Sequence, residues 1–147
     1  GVHRRYTSDT FEMAAAIVNQ TSIQCIDMQP SNLESLQQFE LDLLKNMPTT
    51  WAETKFVDGY PTKYAVLARK STAGNWFVAG LNGEETARTL TLNVPMLAGK
   101  TVTYYTDEAL KKGQQFLNPV KSTAKVDNKG NVKVTIQGMG GIILTDL

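Results

Sequence analysis

The pattern of apolar and polar residues divides the chain into two parts that differ in periodicity. In the first part, the apolar residues of Thr10–Val18 cover most of a helical circumference, which predicts a largely buried helix. Ser8 and Asp9 are good N-cap residues, and Asp9 with Glu12 has the spacing of a capping box. Ser22–Ile26 is short, apolar and rich in β-branched residues, a pattern typical of a buried strand.

A second amphipathic helix is predicted over Ser31–Met47. Ser31 and Glu34 form a second potential capping box, apolar residues follow at helical spacing, and Pro48 ends the helix. Helix, strand and helix together form one α/β repeat. A single strand cannot form a parallel sheet, so its hydrogen-bonding partners must come from outside this segment.

The second part of the chain has the pattern of an antiparallel β-structure. Apolar and polar residues alternate in several short runs separated by Gly and Asn turns, which favours a β-sandwich. In Arg88–Val94, the alternation predicts that Leu90, Leu92 and Val94 point inward. The predicted strands are Lys63–Arg69, Asn75–Leu81, Arg88–Val94, Thr101–Asp107, Val132–Ile136 and Gly141–Leu147.

Two segments lack a clear strand pattern. Glu108–Ser122 is interpreted as a long, partly irregular crossover. Met47–Pro61 lies where the α/β part meets the sandwich, and its Trp51 is interpreted as packing between the two parts. The predicted domain boundaries are therefore 1–48 for the α/β segment and 49–147 for the sandwich.

Composition is that of a folded protein without a strong electric field. The chain has 147 residues, 41% of them hydrophobic and 20% charged, and a net charge of +1. No basic patch points to nucleic acid or an anionic membrane as a partner. No apolar run approaches the roughly 18 residues of a membrane span. The N-terminus is polar, so any signal peptide is expected upstream of residue 1.

The chemistry-bearing residues do not form a recognisable catalytic or metal-binding pattern. His3 is the only histidine and Cys25 the only cysteine, so neither a multi-histidine zinc site nor a disulfide is predicted. Glycoside hydrolysis requires two carboxyl groups at a set separation, and no spacing singles out such a pair. The candidate carboxylates are Glu53, Asp58, Glu84, Glu85, Asp107 and Glu108.

Small and aromatic residues allow structural and binding interpretations. Gly138, Gly140 and Gly141 precede a strand rather than a helix, so a bulge or close backbone packing is favoured over phosphate binding. Aromatic side chains could stack on sugar rings, but a sandwich core uses the same residues. The aromatic residues in question are Trp51, Tyr60, Trp76, Tyr104 and Tyr105.

Several segments, in this order along the chain, resemble the C-terminal part of glycoside hydrolase family 97. They are PTTWAETKFVDG, YAVLARK, NWFVAGLNGEETARTLTLNV and GMGGIIL. The resemblance implies an antiparallel β-sandwich preceded by a helix-strand-helix remnant of a (β/α)8 barrel. Ser22–Ile26 is then similar to the last barrel strand, whose neighbours belong to the missing barrel.

The resemblance also implies a parent enzyme that hydrolyses α-glucosides or α-galactosides, is periplasmic or secreted, and uses calcium in its catalytic domain. The family's catalytic carboxylates and calcium ligands lie on earlier barrel strands, so none is assigned to this chain, which alone is predicted to be inactive. Ala52 stands where the family commonly has an acid. Asp27 follows the predicted barrel strand and is a candidate barrel-loop acid without an assigned role.

Two functions from different classes are compatible with these residues. The first is a non-catalytic structural domain that packs against and supports its own catalytic barrel, which acts on an oligo- or polysaccharide. The alternative is a carbohydrate-binding module that uses exposed aromatics. Trp51, Tyr60 and Trp76 are the candidate contacts to a sugar or to the barrel seam. A third expectation is self-association of the chain through the unpaired strand at Ser22–Ile26, because an open apolar edge invites another chain. The alternative is that residues 1–47 fold back onto the sandwich, with Trp51 as part of that contact.

Overall fold

The computed structural model describes residues 7–18 and 36–147, which form two helices and eight strands. The helices are α1 (Asp9–Val18) and α2 (Gln38–Asn46). The strands are β1 (Trp51–Tyr60), β2 (Tyr64–Ser71), β3 (Trp76–Asn82), β4 (Arg88–Asn93), β5 (Thr101–Asp107), β6 (Pro119–Lys125), β7 (Asn131–Ile136) and β8 (Gly141–Thr145). A short 3₁₀ turn, Pro95–Leu97, connects β4 to β5.

The strands form two antiparallel sheets that pack face to face. The larger sheet has six strands in the order β1-β2-β3-β8-β5-β6, and the smaller sheet pairs β4 with β7. Val66, Val78 and Ile142 of the large sheet meet Leu92 and Val134 of the small sheet in the buried sandwich core. This architecture confirms the predicted antiparallel sandwich.

The large sheet is covered on its other face by the helices. β3 alternates between the faces, so Trp76 and Val78 enter the sandwich core whereas Phe77 and Ala79 face α1 and α2. Both sets are buried, which accounts for the nearly continuous apolar run of this strand. The molecule therefore has three layers: helices, large sheet and small sheet.

The faces predicted for β4 are confirmed. Leu92 and Val94 are buried and Leu90 packs against the core, whereas Thr91 is exposed. The hairpin predicted between Lys63–Arg69 and Asn75–Leu81 is also present, as β2 and β3.

Two strands were missed by the sequence analysis, and both are edge strands. β1 occupies most of the segment interpreted as a connecting seam, and β6 begins at Pro119 within the segment interpreted as irregular. Edge strands are partly solvated on both faces and lose the alternation that reveals internal strands. Proline at the first position of β6 is compatible with a strand.

The second predicted helix begins later than expected. Leu36 and Gln37 are not helical, Gln37 has an extended backbone, and α2 starts at Gln38. The Gln37 N–H donates to Glu40 Oε2 at 2.6 Å, and this capping-box hydrogen bond stabilises the start of the helix at Gln38. The predicted strand Ser22–Ile26, the capping box of Ser31 and Glu34, and Asp27 lie outside the described residues.

Candidate functional site: the helix seam

The helices α1 and α2 pack on the large sheet, and we call this contact the seam. α1 lies across β3 and β8, with Ala14 and Ile17 fully buried against the sheet. The buried side chains of the seam are Met13, Ala14, Ile17, Leu43, Met47, Phe77, Ala79, Tyr105 and Ile143. Ile17 and Leu43, which a catalytic barrel is expected to cover in the parent enzyme, are both buried in this contact.

Glycine in the final strand allows the close approach of α1. A Cβ atom at Gly141 would lie 2.7 Å from the Thr10 carbonyl oxygen and 2.8 Å from Phe11 Cα. Such distances are too short for any side chain, so the strand must carry glycine where the helix crosses it. At Gly138, a Cβ atom would meet the Glu85 carbonyl oxygen at 2.0 Å. Close backbone packing, as predicted for these glycines, is confirmed.

A buried carboxylate of the sandwich holds the start of α1. The Ser8 hydroxyl donates to Asp107 Oδ2 at 2.7 Å, and the Gly141 N–H donates to the same oxygen at 3.1 Å. Ser8 Oγ in turn accepts the Phe11 N–H at 2.9 Å, so Ser8 rather than Asp9 is the N-cap. Glu12 accepts a hydrogen bond from the Thr7 hydroxyl. Asp107 is therefore connected to α1 through Ser8, the N-cap residue of the helix.

The environment of Asp107 changes its acidity. The residue is only 4% exposed, and burial raises the pKa of its carboxyl group. The hydrogen bonds from Ser8, Thr10 and Gly141 act in the opposite direction, because they stabilise the ionised form. Burial is the larger effect, so Asp107 is a group whose ionisation opposes folding.

A buried arginine of the sandwich holds the end of α1. Arg69 Nη1 donates to the Ile17 carbonyl oxygen at 2.9 Å, and its Nε donates to Thr54 Oγ1 at 3.0 Å. Its guanidinium carbon lies 4.7 Å from the centre of the Trp51 ring. Trp51 packs edge-on against Phe77 with 5.6 Å between the ring centres. The Arg69 side chain therefore joins β1, β2 and α1.

The two charged groups match the dipole of the helix. Asp107 is at the amino end of α1, where free N–H groups carry partial positive charge, and Arg69 is at the carboxyl end. Charges placed in this way contribute about 0.3–1 kcal/mol each at the surface and up to about 2 kcal/mol where partly buried. The sandwich thus recognises both the position and the direction of α1.

The second helix adds a smaller contact on the same face of the large sheet, near β5 and β6. Phe39 packs against Tyr105 with 6.2 Å between ring centres. The Gln37 side chain donates to the Asn118 side chain at 3.2 Å and to the Pro119 carbonyl oxygen at 3.0 Å. α2 therefore lies at the start of β6.

The aromatic residues singled out from the sequence fall in three different environments. Trp51 lies in the seam, and Trp76, which is 8% exposed, lies in the sandwich core. Tyr105 is buried, and the Tyr104 hydroxyl hydrogen-bonds to the Thr135 backbone. Tyr60 is 59% exposed. A contact of Trp51, Tyr60 or Trp76 to a sugar or to a barrel stays a prediction.

A shallow apolar groove of about 540 Å³ lies between the start of α1 and the hairpin of β1 and β2. Phe11, Phe56, Tyr60 and Leu81 are among its lining residues. In the register of β1 and β2, Phe56 is opposite Leu67 and Tyr60 is opposite Tyr64, with a register shift between them. Both rings are exposed, at 72% for Phe56 and 59% for Tyr60, and a sugar-binding role for this groove stays a prediction.

Two of the candidate carboxylates have hydrogen-bonding partners within the sandwich. Asp58 accepts hydrogen bonds from the Gly59 N–H and from the Tyr64 hydroxyl, at 2.8 and 3.1 Å. Glu84 forms an ion pair with Arg88, and the hydrogen bond from Arg88 lowers the pKa of Glu84. Within residues 7–18 and 36–147, no three His, Cys, Asp or Glu side chains come together as metal ligands. Neither described helix has the length and apolar character needed to cross a membrane.

Sequence reasoning missed Arg69 and misjudged Asp107. Arg69 stands in the apolar run YAVLAR, and a charge inside a strand that is otherwise buried was the signal available for it. Asp107 was considered only as a catalytic candidate. Its role in holding Ser8 depends on a contact between residues 99 positions apart in sequence.

The comparison with protein families gives one match over most of the sandwich. Residues 50–145 match the family described as glycosyl-hydrolase 97 C-terminal, oligomerisation. A protein named "Probable retaining alpha-galactosidase", from Streptomyces bingchenggensis (strain BCW-1), is 30% identical over 73 residues, which is 50% of this chain and 11% of that protein.

Solved structures resemble nearly the whole chain. A crystal structure of a beta-arabinopyranosidase matches with a TM-score of 0.88 and 38% identity, covering 99% of this chain and 22% of that one. A glycoside hydrolase family 97 enzyme from Pseudoalteromonas sp. strain K8, in complex with panose, has the same fold with a TM-score of 0.78 and 21% identity over 97% of this chain.

The chain spans only 22% and 23% of those two solved enzymes. The strands that match the family model are those of the sandwich, including the edge strand β1. By the extent of that match, from residue 50 to residue 145, the chain belongs to the glycosyl-hydrolase 97 C-terminal family.

Proposed function

We propose that this chain is the non-catalytic C-terminal part of a glycosidase and that its sandwich supports the end of a catalytic barrel. The observation that carries the proposal is the seam, in which Asp107 and Arg69 hold opposite ends of α1 over a buried apolar face. Such a contact fixes one helix in position and direction, which is what a supporting domain has to do.

The substrate of the parent enzyme is an α-galactoside, an α-glucoside or an arabinopyranoside. The names of the α-galactosidase relative and of the beta-arabinopyranosidase support the first and the last of these, and the α-glucoside is proposed from the family resemblance. An L-arabinopyranoside differs from a D-galactoside only in lacking the exocyclic hydroxymethyl group, so one pocket could accept both. The partner of the sandwich domain is the catalytic barrel of the same polypeptide.

Calcium and export belong to the same proposal. Calcium binds carboxylate and carbonyl oxygens in groups of six to eight. The described residues do not bring three acidic side chains together as metal ligands. From the family resemblance, we assign calcium to the catalytic barrel. Activity in the periplasm or outside the cell is proposed from the family resemblance, and a signal peptide upstream of residue 1 would support it.

Activity assays on two lengths of the protein test the proposal. The 147-residue chain and the protein extended by its natural upstream sequence are assayed with aryl α-glucoside, α-galactoside and β-L-arabinopyranoside, with and without calcium. We expect turnover from the extended protein only. In the extended protein, Arg69→Met should lower the temperature at which activity is lost and leave kcat/KM at 25 °C unchanged, because Arg69 holds α1 and does not touch substrate.

Lys133→Met, at an exposed position of β7, is the matched control and should leave both quantities unchanged. Turnover by the 147-residue chain that scales with protein concentration would contradict the non-catalytic role. An Arg69→Met protein as heat-stable as the control would contradict the supporting role of the seam.

A further inference from the structure

The edge strands of the large sheet, β6 and β1, differ in sequence and in surroundings. β6 begins with Pro119, whose carbonyl oxygen accepts a hydrogen bond from the side chain of Gln37, the residue immediately before α2. Proline in the strand and a helix beside it both hinder the pairing of a sheet edge with another chain. β1 is longer, and the five consecutive residues Ala52–Phe56 are all exposed.

The regular part of β1 is short and sharply bounded. Its pairing with β2 shifts register between Trp51 and Glu53 and again between Phe56 and Asp58. Between these irregularities, residues 53–56 pair in regular order with residues 70–67 of β2. Among the strands in residues 7–18 and 36–147, β1 has a neighbour on one side only, so its outer edge can accept a further strand around this regular segment.

The charges of this segment are complementary to themselves. Glu53 and Lys55 are two positions apart and share one face of the strand, with Thr54 between them. If two copies pair antiparallel about a twofold axis at Thr54, each Glu53 lies opposite Lys55 of the other copy. The same register sets Ala52 opposite Phe56, whose ring is 72% exposed in the single chain.

We propose that the occupant of the β1 edge is a second copy of this chain, paired antiparallel about Thr54. The large sheets of the two copies then form one continuous sheet. The inference rests on the proposed structural role of the domain, and the family's description as an oligomerisation domain supports a second copy as the partner. It names the strand, the register and the charge pairs through which that association occurs.

Charge reversal and charge exchange test this register. The mass of the 147-residue chain is measured by light scattering after gel filtration, from low to high micromolar concentration. We expect a dimer. Glu53→Lys and Lys55→Glu each set two pairs of like charges against each other and should weaken dimerisation at least about tenfold. The double variant restores opposite charges and should return the dissociation constant to within about threefold of the original.

Two further variants make the test specific. Lys133→Glu changes the net charge as Lys55→Glu does but lies on β7, and it should leave the dimer intact. Phe56→Ser removes an exposed ring and is not expected to disturb folding, but it should also weaken the dimer about tenfold or more. Urea unfolding of each variant separates loss of pairing from loss of fold.

Each alternative result contradicts the proposal in a recognisable way. A monomer across the whole concentration range means that the edge does not bind a second copy. A dimer that neither single reversal weakens uses another surface, and a double variant as weak as the single ones excludes the register about Thr54. A monomer that binds an oligosaccharide until Phe56→Ser is introduced identifies the surface as a sugar site. None of these results affects the seam, which the thermal inactivation of the extended protein tests separately.

Discussion

At the scale of single residues, two buried charges connect the helix to the sandwich. Arg69 donates its hydrogen bonds to a backbone carbonyl and a hydroxyl, and it lies against Trp51. Asp107 receives hydrogen bonds from Ser8 and Gly141, yet burial raises its pKa. The carboxylate therefore positions Ser8 at a cost in stability that depends on pH.

Asp107→Asn should remove that pH dependence. An acid whose pKa is raised by folding is protonated in both states at low pH, where it costs nothing. The unfolded chain ionises first, near pH 3.9, so the free energy of unfolding falls as pH rises from there through the raised pKa and is constant above it. Urea titrations of both proteins between pH 3.5 and about 8 measure the difference between them.

We expect the stability of the original protein, relative to Asp107→Asn, to decrease over this range. Asp127→Asn is a useful comparison, because hydrogen bonds from Asn131 and Lys129 lower the pKa of Asp127 and the sign of its effect is opposite. A relative stability that rises with pH for Asp107 would show that its hydrogen bonds outweigh its burial.

At the scale of elements, the strands differ in how completely they are covered. β3 and β8 are buried on both faces, β4 and β7 on one, and β1 is largely exposed. The visibility of each strand in the sequence follows this order, because burial dictates which positions must be apolar. The internal strands were predicted, and the two edges were not.

In β4, substitution of adjacent residues should have unequal effects. Leu92 is 1% exposed, so Leu92→Ala should lower the free energy of unfolding by about 2–5 kcal/mol through lost burial and the cavity that remains. Thr91 is exposed, and Thr91→Ala should cost less than about 1 kcal/mol. Denaturant titrations of both variants measure the two changes in the free energy of unfolding. Equal decreases would contradict the assignment of Leu92 to the buried face and Thr91 to the exposed face.

At the scale of the whole molecule, the helices cover a sheet face that would otherwise meet water. Phe77, Ala79 and Ile143 are fully buried beneath α1 and α2. The sequence analysis favoured association of two chains through residues 1–47, and its alternative was that this segment folds back onto the sandwich. In the described residues, α1 and α2 lie on the sheet, as that alternative required, and Trp51 lies in the contact.

Removal of residues 1–47 should expose this face. Each large side chain left in water forgoes about 1.5–3 kcal/mol of burial, and Phe77 and Ile143 are two of them. The shortened protein, beginning at Pro48, should unfold at a lower urea concentration than the complete chain and bind an apolar fluorescent dye in its folded state. An unchanged midpoint without dye binding would mean that the helices contribute nothing to the stability of the sandwich.

The sequence by itself determined the elements whose side chains have one obligatory environment. The alternation in Arg88–Val94 and the apolar runs of β3 and β8 follow from burial, which acts on each residue separately and leaves a local pattern. The order of the four segments that resemble the family was also recognisable, and the family match confirms the resemblance.

Only the tertiary structure decided which distant residues meet. Asp107 came to lie beneath Ser8, and Arg69 at the end of α1, because the order β3-β8-β5 brings the last strand to the centre of the sheet and β3 and β8 together form the surface on which the helix lies. The edge strand β1 likewise acquired its identity from its pairing with β2 and not from its own pattern. The pattern in the sequence reflects whether each residue is buried or exposed, whereas a contact between distant residues depends on the path of the whole chain.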